Sequence, residues 1–180
     1  MRSVVAMTGS SGMPYGVRLL QVLPSEKVLV MSDMAKRLLA QETGASLDVV
    51  EAMADAVFQD DDLFAPIASG SYKFDGMVIC PCSESTLGKL ASGVADTLIT
   101  RAAAVCLKEG RKLIIVPRET PLSAIMIENE LRLSRAGAVI LPASPGFYHQ
   151  PRSVEDMVDF VVGKIMDQMG IEHHLYKRWG

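Results

Sequence analysis

Ser3-Val4-Val5-Ala6-Met7-Thr8-Gly9-Ser10-Ser11-Gly12-Met13-Pro14-Tyr15-Gly16 joins an unbroken apolar run to a helical pattern through a turn of glycines and hydroxyls. Apolar residues without alternation suit a strand whose sheet is covered on both faces. The turn places backbone N–H groups and small side chains at the start of a helix, where an anion is electrostatically favoured. Ser11 stands where the dinucleotide fingerprint needs its second glycine, and no lysine follows as in a nucleoside-triphosphate loop. A tight strand-to-helix turn that binds nothing uses the same residues, so this segment alone leaves both readings open.

The same pattern recurs along the chain. Apolar runs at Lys27 to Met31, Met77 to Cys82, Lys112 to Val116 and Ala138 to Leu141 read as strands. Helical spacing marks Pro14 to Leu23, Asp33 to Glu42, Ser46 to Ala54, Thr97 to Glu109 and Pro121 to Ala136. This alternation predicts βαβ units in a doubly wound, mostly parallel sheet with helices on both faces. The fold class is a three-layer α/β architecture, Rossmann-like or flavodoxin-like, whose ligand sits beyond the carboxyl ends of the strands. A final helix opens on a capping box of Ser153 and Asp156, and Val154, Met157, Val158, Val161, Val162, Ile165, Met166 and Met169 form its core stripe. Phe160 falls on the other side of that helix, which predicts cover from a second subunit. Asp60-Asp61-Asp62 and Ala68 to Ser71 read as surface loop.

The 180 residues suit a single domain spanning 1–180. With 49% apolar and 22% charged residues, and 18 Lys+Arg against 21 Asp+Glu, neither disorder nor a nucleic-acid surface is indicated. No apolar run is long enough for a membrane span, and the amino-terminal run lacks a signal-peptide layout, so a cytoplasmic location is expected. Cys80, Cys82 and Cys106 give an odd count with no secretory signal and read as buried thiols. His149, His173 and His174 lie far downstream of the cysteines, so no metal is expected.

A second hydroxyl-rich turn, Cys82-Ser83-Glu84-Ser85-Thr86, follows the third apolar run, and Ser32 follows the second. Turns after strands of one parallel sheet open on one crevice, and that convergence exceeds what helix capping needs. A phosphorylated ligand is favoured. The cations have ordinary alternatives: Lys108 complements a helix dipole, Arg101 lies on a solvated face, and Lys164 snorkels beside an apolar stripe. Arg118-Glu119 directly follows a strand, at the expected mouth of the site.

Gly9-Ser10-Ser11-Gly12 before Tyr15-Gly16, Cys82-Ser83 with Thr86-Leu87, Arg101-Ala102-Ala103, Leu107-Lys108-Glu109, Val116-Pro117-Arg118-Glu119-Thr120-Pro121, Pro145-Gly146-Phe147-Tyr148-His149-Gln150-Pro151 and Arg178-Trp179 follow one another in an order that resembles the UbiX-type flavin prenyltransferases. That family is related to phenylacrylic acid decarboxylase-like proteins and to flavin-dependent cysteine decarboxylases. The resemblance spans the whole chain and implies a single flavoprotein domain. It also implies a homo-oligomer, usually a dodecamer, that binds flavin mononucleotide (FMN) at subunit interfaces.

By resemblance, Gly9, Ser10, Ser11, Ser32, Ser83, Glu84, Ser85, Thr86, Arg101 and Arg118 bind FMN. Lys108, Arg118, Tyr148 and Lys164 hold the phosphate of dimethylallyl phosphate, and Ser11, Glu42, Glu119 and Trp179 serve catalysis. The implied reaction joins the dimethylallyl group to N5 and C6 of reduced FMN without a metal, and a UbiD-type decarboxylase receives the prenylated flavin. Three positions depart from the family pattern. Ser10 replaces a common alanine, Glu84 puts a carboxylate in the phosphate-side loop, and Lys164 replaces a common arginine, which loses bidentate geometry. The alternatives are a decarboxylase of the same superfamily, which needs a histidine on an early helix where this chain has none, and a non-catalytic FMN carrier.

Overall fold

The computed structural model describes residues 1–180. The chain runs β1 (Arg2–Met7), α1 (Met13–Val22), β2 (Glu26–Met31), α2 (Asp33–Thr43), α3 (Leu47–Glu51) and β3 (Ala56–Gln59). It continues through a short 3-10 turn (Pro66–Ala68), then β4 (Gly76–Cys82), α4 (Glu84–Ala91), α5 (Leu98–Lys108) and β5 (Lys112–Pro117). The last elements are α6 (Ala124–Arg135), β6 (Val139–Ile140) and α7 (Val154–Met169). All pairings are parallel, in the order β3-β2-β1-β4-β5-β6.

The unbroken apolar strands divide their side chains between the two faces of the sheet. Val4, Ala6, Val28, Val30, Met77, Ile79, Leu113 and Ile115 pack under α4, α5 and α6. Their neighbours Val5, Met7, Leu29, Met31, Val78, Cys80, Ile114 and Val116 pack under α1, α2 and α7. The expected doubly wound, three-layer architecture is therefore the one observed. Its order reverses between β1 and β4, and a doubly wound sheet opens a crevice at such a switch point.

Three details differ from expectation. The short edge strand β3 is half-buried and ends on Gln59, so its apolar run, Ala56 to Phe58, is too short to announce it. Phe160 is covered within the chain and is only 8% exposed. His149 stacks on it at 5.1 Å between ring centroids, Tyr176 approaches to 4.9 Å and Tyr148 to 5.6 Å. The expectation that a second subunit covers Phe160 is overturned, because helical periodicity does not register a loop and a tail folding over the helix. Finally, Asp60 is more than loop: its carboxylate accepts the Ile99 N–H at 2.9 Å and its carbonyl accepts that of Leu98 at 2.7 Å, fixing the start of α5.

Candidate functional site

After β1 the chain crosses to α1 on one face, and after β4 it crosses to α4 on the other, so the two hydroxyl-rich turns face each other across the switch point. Thr8 locks them together. Its hydroxyl donates to the Pro81 carbonyl at 3.1 Å and accepts the Ser83 N–H at 2.7 Å. Gly12, at φ 117°, occupies the N-cap of α1 in the left-handed region, which a side chain would strain, and it contributes no capping side chain. Glu42 supplies the missing acceptor: one carboxylate oxygen takes the N–H of Gly12 at 2.7 Å and of Met13 at 2.9 Å. Burial alone would raise the pKa of Glu42. Bonds from Gly12, Met13 and the Ser11 hydroxyl, with the charge of Arg118, outweigh burial and hold it below its ordinary value.

The N–H groups that begin α1 are therefore engaged by the protein's own carboxylate, and the open cradle is the one that begins α4. Ser83 caps that helix, accepting the Thr86 N–H at 3.3 Å and donating to the Thr86 hydroxyl at 3.0 Å. Ser32 caps α2 through the Ala35 N–H. The Ser10 hydroxyl donates to the Arg118 carbonyl at 2.8 Å, and Arg118 Nε donates to the Ser11 carbonyl at 3.0 Å. This two-way clasp gives Ser10 a use in the chain itself: it fastens the first turn to the end of β5.

These parts surround a cavity of about 470 Å³, within the range of small-molecule sites. Gly9, Ser10, Ser11, Ser32, Ser83, Glu84, Ser85, Thr86, Arg118 and Glu119 all line it. Glu84 opens α4, where a carboxylate complements the positive end of the helix. Sequence reasoning missed Met34, Asp60, Lys89, Thr97, Ile99 and Thr100 on the same wall. The capping pair Thr97 and Thr100 is a readable signal, whereas Asp60 needs the unannounced β3 to bring it there.

Six expected residues lie off this wall. Glu42 stands behind the first turn, as described. Arg101 donates to the Ala68 carbonyl at 3.2 Å. Lys108 pairs with Glu109 at the end of α5, beyond the amino ends of the strands. Lys164 lies 3.7 Å from Asp167 on α7. Tyr148 and Trp179 meet edge to face at 5.5 Å and share a separate groove of about 330 Å³ with Arg178 and Gly180. Cys80 and Cys82 are fully buried, and desolvation pushes both thiols up, away from the reactive thiolate form.

Comparison with known proteins gives three kinds of match. The flavoprotein family profile matches residues 1–166. The flavin prenyltransferase UbiX of Thermoplasma acidophilum is 51% identical over 180 residues, covering 99% of this chain and 100% of the relative. A dodecameric FMN-dependent UbiX-like decarboxylase from Escherichia coli O157:H7 superposes with a TM-score of 0.97 at 47% identity, covering 100% of both chains. The AnUbiX (PadA1) structure, in complex with FMN and dimethylallyl pyrophosphate, gives 0.97 at 44% identity, covering 99% of this chain and 97% of that one.

Proposed function

We propose, since this chain belongs to the flavin prenyltransferase (UbiX) family of flavoproteins, that it joins a dimethylallyl group to N5 and C6 of reduced FMN and releases phosphate. The observation that carries the reading is the hydroxyl-lined cavity at the β1–β4 switch point, with Arg118-Glu119 at its mouth. Its donor set fits a mononucleotide. Ser83, Ser85 and Thr86 at the positive end of α4 suit a phosphate, and the first turn, with Ser11 in place of the second glycine, lacks the dinucleotide fingerprint. Met34 and Ile99 are the only apolar side chains on the wall, so further cover for a flavin ring comes from a neighbouring subunit.

When bound, reduced FMN supplies the nucleophilic N5 and C6. The chain's own groups hold the donor and move protons. Arg118, kept over the cavity by its bond to the Ser11 carbonyl, stabilises the departing phosphate, and Lys108, Tyr148 and Lys164 join it from other subunits. Glu119 exchanges protons at the mouth, and Glu42 acts through the Ser11 hydroxyl. The faces of Tyr148 and Trp179 stabilise allyl-cation character and exclude water. The chain works as one flavoprotein domain over 1–180, in a cytoplasmic homo-oligomer, and its product serves a UbiD-type decarboxylase. No helix is long and apolar enough to cross a membrane.

The test is anaerobic incubation with reduced FMN and either dimethylallyl monophosphate or diphosphate, followed by mass analysis of the extracted flavin. A gain of one prenyl unit is expected with the monophosphate. Flavin bound but unaltered with both donors would leave a carrier and overturn the reading.

A further inference from the structure

Asp167 sits in the last turn of α7, where the exposed carbonyl ends of a helix disfavour a carboxylate. It is nevertheless heavily used. Arg178 donates to its two oxygens at 2.6 and 3.3 Å, and the Tyr176 hydroxyl donates at 3.0 Å. The Leu175 N–H donates to His173 Nδ1 at 3.2 Å, so the ring proton lies on Nε2, which donates to Asp167 at 3.1 Å. Burial opposes the charge of Asp167, but the hydrogen bonds from Arg178 and Tyr176 and the charge of Arg178 prevail and bring its pKa down to about 2.

Every one of these donors belongs to the segment beyond α7, which folds back along that helix. Gly163 lies one turn earlier, and a methyl group there would stand 2.5 Å from Tyr176 and 2.6 Å from His173. The tail lies flat only because that position is bare. Farther along, Tyr176 packs against Phe160, and Trp179 meets Tyr148. An ordinary surface ion pair contributes little. A carboxylate with four donors, 19% exposed and placed where the helix end disfavours it, is a built anchor.

We propose that Asp167 is a positioning residue, anchoring the carboxyl-terminal tail so that Trp179 and Tyr148 form one aromatic wall for the prenyl donor. The role rests on the prenyltransferase reading, which supplies the donor. Asp167 also lies within 3.7 Å of the Lys164 ammonium and so sets where that charge sits.

Trp179 is the chain's only tryptophan, so time-resolved fluorescence anisotropy reads the mobility of the tail directly. Asp167→Asn removes the charge at constant size, and Gly163→Ala pushes the tail away without touching the charge. Both are expected to add a fast anisotropy component and to raise KM for dimethylallyl phosphate by about tenfold to a hundredfold, while FMN affinity holds. Asp167→Glu should recover part of the KM. A merely structural role would reduce the folded fraction and lower kcat at unchanged KM. Unchanged anisotropy in Asp167→Asn, or a mobile tail with an unchanged donor KM, would overturn the anchor. Wild-type protein that binds FMN yet forms no adduct would overturn the prenyltransferase reading, and the anchor's role in it would fall as well.

Discussion

Glu42 and Glu119 are both carboxylates near the cavity, and their surroundings divide their work. Glu42 is bonded while ionised, and its folded pKa lies below the ordinary 4.5. A depressed carboxylate contributes stability that is full above its unfolded value and is lost as pH falls through its folded value. The gap in urea midpoint between wild type and Glu42→Gln is therefore expected to be widest at neutral pH and to close below pH 4.5. A gap that persists in acid would contradict this. Glu119 bonds only the adjacent Thr120 N–H and faces the cavity mouth, so Glu119→Gln should leave FMN affinity intact and slow adduct formation by about 10²- to 10⁴-fold. Equal losses in binding and turnover would mark it as structural. Arg118-Glu119 was legible because it directly follows an apolar run, and such runs mark carboxyl ends. Lys89 was not legible, since its approach to the cavity depends on how α4 meets the loop carrying its partner Asp96.

Helix caps separate stability from binding. Ser153 caps α7 through the Asp156 N–H, and Ser83 caps α4 at the cavity. Removing either hydroxyl is expected to cost about 1 kcal/mol, or roughly 2–4 °C in Tm for a chain of this size. Only Ser83→Ala should also weaken FMN binding, by about tenfold, because its hydroxyl lines the cavity where the flavin phosphate is proposed to sit. Calorimetry with flavin titration checks both, and parallel losses of affinity in the two variants would count against the α4 cradle. At this scale the central strands were readable because burial on both faces demands apolar residues at every position. β3 was not, because an edge strand packs on fewer sides and Ala56 to Gln59 carries no such demand. Phe160 was misread for a related reason: its helix was legible, but the loop around Tyr148 and the tail around Tyr176 that cover it have no period of their own.

The whole molecule leaves its expected donor-phosphate ligands apart. Arg118 lines the main cavity, while Lys108 and Lys164 are paired elsewhere on the same chain. A site completed between subunits accounts for this separation, and mixing experiments test it. Arg118→Ala and Lys164→Ala should each depress prenylation by about tenfold or more. Mixed assemblies made by subunit exchange should recover part of the activity, since some sites then receive both intact residues. No recovery in mixtures shown by light scattering to be multimeric would place both residues in one chain's site. The turns after β1 and β4 could be read as a site because both belong to the periodic framework; assembly across chains leaves no mark on periodicity. The path of the tail has a practical consequence. Gly180 ends beside the Tyr148 groove, whereas Met1 leaves from the amino ends of the central strands, beside Lys112 and Gly76. An affinity tag or surface tether fused after Gly180 would hang in front of the aromatic wall, and the same tag fused ahead of Met1 would leave it clear.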